Sequence, residues 1–176
     1  MNKCRLRFAF TLAEMLLSVA IIFVIATIGM VEYRQGSSTN TLLRVATRVA
    51  QDLHRAQNLA LTSLALSGQV PYGFGVYFDT AKPDQYVIFT DNDNNKTCLA
   101  PCDTSAERYE VVKVEPGAIL SVSPGSPLHV DFVPPDPTTY INGVNSGTAS
   151  IRVYLPGDTS TYKTVIINSS GLVDIQ

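Results

Sequence analysis

Phe10-Thr11-Leu12-Ala13-Glu14-Met15-Leu16-Leu17-Ser18-Val19-Ala20 opens a run that stays apolar to Val31, apart from small hydroxyl residues, Gly29 and the single charge of Glu14. At about 1.5 Å per residue, a helix over 10–31 reaches about 30 Å, the thickness of a bilayer's hydrocarbon core. A secretory signal has a shorter apolar region, about 7–15 residues, closed by a small-residue cleavage site. Here Gly29 is followed by Met30-Val31-Glu32-Tyr33, which offers no such site. Residues 10–31 are therefore expected to form a transmembrane helix. Lys3, Arg5 and Arg7 precede it and favour a cytoplasmic N-terminus, against a weaker counterweight from Arg34, Arg44 and Arg48 on the far flank. The rest of the chain is expected to be translocated. Cys4 lies before the apolar run rather than after it, which argues against a lipoprotein anchor.

Glu14 breaks the apolar pattern. A carboxylate within a membrane helix costs at least about 2.5 kcal/mol, so an acid there points to a function. The alternative is a carboxylate solvated by headgroups, because Glu14 lies near the start of the run. The surrounding residues favour the functional reading. Lys3-x-Arg5-x-Arg7-Phe8-Ala9-Phe10-Thr11-Leu12-Ala13-Glu14 resembles the prepilin N-terminal methylation signal of type IV pilins and pseudopilins. The resemblance implies that 1–9 is a leader removed by a prepilin peptidase between Ala9 and Phe10, with N-methylation at Phe10. It also implies that Glu14 acts in assembly, pairing with the freed amine of a neighbouring subunit. The residue before the cut is usually glycine in that family; here it is Ala9.

Residues 32–66 read as an amphipathic helix continuing into the head. Gly36-Ser37-Ser38-Thr39 reads as a helix interruption or a flexible point within it. Leu42, Ala46, Val49, Leu53, Ala56 and Ala60 then recur at three- and four-residue steps, a stripe suited to packing on a sheet. Arg44, Arg48, Asp52 and Arg55 are expected to lie mostly away from that stripe. From Tyr72 the period changes to two. Strands are expected at 72–78, 85–90, 109–114, 118–123, 128–133, 150–155, 162–167 and 172–175, separated by Pro, Gly, Asn and Asp. Pro134-Pro135-Asp136-Pro137 and Asn142-Gly143 read as loops within the head. The expected class is α+β: a long N-terminal helix, half membrane-spanning and half amphipathic, packed on an antiparallel β head of one or two sheets over 67–176. Phe74-Gly75-Val76-Tyr77, the stretch Tyr86 to Asn94, Glu107 and Asn168-Ser169-Ser170-Gly171-Leu172-Val173 resemble the head of a GspH/FimT-type pseudopilin or minor pilin.

The head is acidic: from Ser67 onward six basic residues face twelve acids. Nucleic-acid binding rests on Lys and Arg neutralising phosphates, so nucleic acid is an unfavoured partner. Cys98 and Cys102 form an even pair once Cys4 leaves with the leader. A small disulfide in an oxidising compartment is the preferred reading and two free thiols the alternative. Zinc would need four ligands, and His54 and His129 stand at no ligand spacing. Both histidines are expected to be exposed. Asp91, Asp93 and Asn95 begin like a calcium loop, but Lys96 replaces the required glycine and Cys102 the closing glutamate, so a hairpin turn is preferred and no metal or cofactor is assigned. Gly73-Phe74-Gly75 reads as close backbone packing within a strand. Nucleophile elbow, zinc-protease helix, Walker loop and dinucleotide fingerprint are all absent, so an enzyme is not expected.

The resemblance implies a structural subunit of a type II secretion system or type IV pilus, in the inner membrane with its head outside the cytoplasm. Its partners would be other pilins and the prepilin peptidase. The alternatives are a membrane-anchored extracytoplasmic binding domain and a DNA-uptake minor pilin.

Overall fold

The computed structural model describes residues 11–62, 65–66, 68–136 and 138–176, with side chains described outside 28–38. The chain divides into two units, 1–38 and 39–176.

Helix α1 spans Leu12–Leu61. Gly36-Ser37-Ser38-Thr39 does not interrupt it, although the border between the units falls at that point. Weak helix formers cost up to about 1 kcal/mol each relative to alanine. Extending an existing helix avoids the penalty of a second nucleus. The helix closes at Leu61, short of Leu66. Thr62 turns its hydroxyl onto the Leu59 carbonyl at 3.0 Å, and Leu66 instead exchanges two backbone hydrogen bonds with Gln69, of 2.7 and 3.0 Å. Gly68 supplies the positive φ this turn needs, +83°.

The head carries two antiparallel sheets. The first has β1 (Gly73–Phe78), β2 (Gln85–Asp91), β3 (Arg108–Lys113), β5 (Leu128–Val133) and β6 (Thr138–Ile141), in the order β3-β2-β1-β5-β6. The second has β4 (Ile119–Ser123), β7 (Thr148–Leu155), β8 (Asp158–Asn168) and β9 (Val173–Ile175), in that order. The fold is α+β with two sheets. Each expected strand has a counterpart within a few residues. β6 was not foreseen, because Thr138-Thr139-Tyr140-Ile141 sits between loop signals and is too short to show its own alternation.

The core follows from the periodicities. The helix stripe Leu42, Ala46, Val49, Leu53, Ala56 and Ala60 is fully buried, joined by Val45 and Ala50. Phe74, Val76 and Phe78 of β1, Ile88 of β2, and Val130 and Phe132 of β5 share one sheet face and enter the same core. From the second sheet come Leu120, Ala149, Ile151, Val153, Val165 and Ile167, alternating with outward residues along β7 and β8. The alanines let α1 approach closely; bulkier residues would hold it away.

Asp52 departs from the expected outward position. It is 4% exposed. Its Oδ2 accepts a hydrogen bond from the Tyr86 hydroxyl at 2.6 Å and one from Arg48 Nε at 3.1 Å. A polar group can occupy the core stripe when donors reach it from both sides. The shared carboxylate and burial together raise the Tyr86 phenol above its usual range, burial being the larger cause.

Candidate functional site

Two regions concentrate unusual chemistry. The first is the start of α1. From Leu12 to Ile25 the large apolar side chains are exposed, from 51% at Ile21 to 78% at Leu12. Thr11 stands immediately before the helix. Its Oγ1 accepts the Glu14 N–H at 3.2 Å, while Glu14 Oε2 accepts the Thr11 N–H at 3.4 Å and the Thr11 hydroxyl at 3.3 Å. These reciprocal contacts form a capping box, which satisfies amide groups that an α-helix leaves unpaired at its N-terminus. A carboxylate in the first turn also meets the positive end of the helix dipole. The Thr-x-x-Glu spacing before an apolar run carried this signal, and the sequence reading passed over it. Ala9 and Phe10 lie outside the described residues. Among the described residues, no helix is long and apolar enough to cross a membrane. Phe10 and the side chains at 28–31 of the expected span are not among them.

The second region lies in the head, on the sheet face away from α1. Antiparallel partners point to the same face. Tyr77, paired with Val87 and His129, is on this face; so is Gly75, paired with Phe89 and Asp131, and Gly73, paired with Asp91. The segment between β2 and β3 covers it. Cys98 and Cys102 join in a disulfide with an S–S distance of 2.05 Å, and both are buried against Tyr77, Val87 and Phe89. The glycines make room beneath. A Cβ on Gly75 would lie 2.5 Å from Phe89 Cζ, and one on Gly73 would lie 2.7 Å from Asp131 Oδ1.

His129 is buried, not exposed as expected for an alternating strand residue. Its face is outward from α1 but is roofed by the loop, which single-strand alternation cannot reveal. Its Nδ1 accepts the Cys98 N–H at 3.0 Å, and its ring meets Tyr77 edge-on at 5.0 Å. Burial holds its pKa down to about 4. His54 is exposed on α1.

Asp91, Asp93 and Glu107 bring carboxylate oxygens within 4.8 Å of one another. Asp91 and Glu107 are buried; Asp93 is exposed. Asn95 Oδ1 accepts the Thr97 N–H at 2.7 Å and the Thr97 hydroxyl at 2.8 Å. Glu107, the last residue before β3, supplies a third carboxylate from the far end of the same loop, where no calcium-loop spacing would place it. The carboxylates also fasten the loop: Asp91 accepts the amides of Asn95 and Lys96, and Glu107 those of Asn92 and Leu99, all at 3.1–3.2 Å. Asn94 and Lys96 adopt φ of 66° and 65°. Asp131 lies fully buried beside this group, and neither of its oxygens accepts a hydrogen bond. The Phe132 amide is near it but outside hydrogen-bonding geometry. Burial first, then the charge of Asp91, push the Asp131 pKa up to about 7.

The whole arrangement is a pilin-like α+β fold. The crystal structure of FimU, a type IV minor pilin of Pseudomonas aeruginosa (strain PAO1), is similar to this chain with a TM-score of 0.55 and 13% sequence identity, covering 78% of this chain and 89% of that one. No family model and no curated protein matches the sequence.

Proposed function

We propose that this chain is a non-catalytic structural subunit, a minor pilin or pseudopilin, that joins a type IV pilus or a type II secretion system through its N-terminal helix. The observation that carries the reading is the succession of exposed apolar side chains from Leu12 to Ile25, opened by one carboxylate, in a chain with a pilin-like fold. So much contiguous apolar surface demands a covering, from lipid or from like helices. In the inner membrane it is covered by acyl chains; in an assembly it is covered by the helices of other pilins.

Glu14 gives the assembly its register. Removal of 1–9 by a prepilin peptidase would free the α-amine of Phe10. The Glu14 carboxylate of one subunit can then neutralise the amine of the next within an apolar bundle, where opposite charges offset each other's desolvation. The head stands outside the cytoplasm, on the oxidising side of the membrane, where a Cys98–Cys102 disulfide persists. Its acidic balance disfavours a role in DNA uptake.

N-terminal sequencing of the membrane-extracted protein tests the reading. We expect a chain beginning at Phe10 that crosslinks to other pilins. A mature chain still starting at Met1, or one starting beyond Gly29, would overturn it. Correct membrane insertion without any pilin crosslink would identify a membrane-anchored binding domain instead.

A further inference from the structure

We propose that the loop between β2 and β3 builds a binding site for a hard divalent cation of the calcium class, ligated by Asp91, Asp93 and Glu107, with Asp131 behind them supplying charge that no protein donor compensates. Calcium takes oxygen ligands at about 2.3–2.6 Å, so oxygens on opposite sides of one ion stand about 5 Å apart. One carboxylate oxygen from each of Asp91, Asp93 and Glu107, the three within 4.8 Å of one another, meets that requirement. Each carboxylate oxygen bound to a loop amide keeps a second lone pair, so fastening the loop does not exhaust the ligands.

Asp131 makes the cluster more than a set of loop staples. Its carboxylate is fully buried, has no hydrogen-bond donor, and lies against Gly73, the register partner of Asp91. In such a place a carboxylate either takes up a proton or is ionised against a compensating charge. Lys96 supplies one at most: its Nζ is 3.8 Å from Asp91 Oδ2, and it also bonds Asn94. Three further carboxylates remain around it. A divalent ion entering from the exposed Asp93 side would balance them, while the ammonium of Lys96 turns toward the Tyr140 ring, 5.6 Å away.

Tyr140 also provides the readout, as the register partner of Asp131. The chain has no tryptophan, so terbium bound here would emit on tyrosine excitation. The experiment uses the full chain in detergent micelles. We expect Tyr-sensitised terbium emission that calcium displaces, and a calcium-dependent rise in melting temperature. In Asp131→Asn the terbium and calcium affinities should fall at least about tenfold, while the metal-free melting temperature does not drop. Asp93→Asn, at an exposed position, should weaken binding without affecting the metal-free fold. Absence of displaceable emission in the wild type, or affinities unchanged in both variants, would overturn the proposal.

Discussion

Replacing Glu14 with glutamine keeps an acceptor for the Thr11 amide and so preserves the capping box, but it removes the charge. Glu14→Ala removes both. If the charge sets the register between subunits, both variants should lose crosslinking to partner pilins at normal membrane abundance. Normal crosslinking in Glu14→Gln alone would reduce the residue to a helix cap. Two head residues make equally local tests. Gly75→Ala forces a Cβ into the Phe89 ring and the β5 backbone, and should lower stability by about 1–3 kcal/mol in chemical denaturation. Tyr86→Phe deprives buried Asp52 of its shortest donor, at an expected cost of about 1–3 kcal/mol. A neutral result for Tyr86→Phe would mean that Arg48 and Arg55, at 3.1 and 4.0 Å, satisfy that carboxylate without the phenol.

Among the elements, the helix and most strands were legible because their periodicities are clean. The stripe from Leu42 to Ala60 and the alternation in Ser150 to Leu155 each identify a buried face without further information. What local pattern could not disclose was how many faces are covered. His129 and Asp131 alternate with Val130 and Phe132 as outward residues should, and they do point away from α1. A loop distant in sequence then roofs them. The candidate cation site was half legible for the same reason: Asp91 and Asp93 lie two residues apart, but Glu107 returns to them only at the far end of the β2–β3 segment, and Asp131 joins only through the sheet register. Asp52 was misplaced because its burial depends on Tyr86, a partner from another element. The roof itself is testable. Cys98→Ser with Cys102→Ser removes a crosslink between residues only four apart, a short loop worth about 2 kcal/mol in chain entropy. Denaturation should show a loss of that size, and mass spectrometry of the native protein under non-reducing alkylation should find no free thiol at either position.

On the scale of the whole head, β1 occupies the centre of its sheet, between β2, the next strand in sequence, and β5, which follows only after the roofing loop, β3 and β4. The second sheet, which completes the cover over α1, is finished by β8 and β9 at the C-terminus. Contacts of such long sequence separation form late. A chain delivered N-terminus first therefore presents its helix stripe long before Val165 and Ile167 arrive to hide it. A chain ending after Val133 should remain protease-sensitive and bind hydrophobic dyes, whereas the full-length chain should do neither. Strands β8 and β9 thereby act as a closing wall: until Val165 and Ile167 are in place, the stripe from Leu42 to Ala60 stays open to solvent and to proteases on that side.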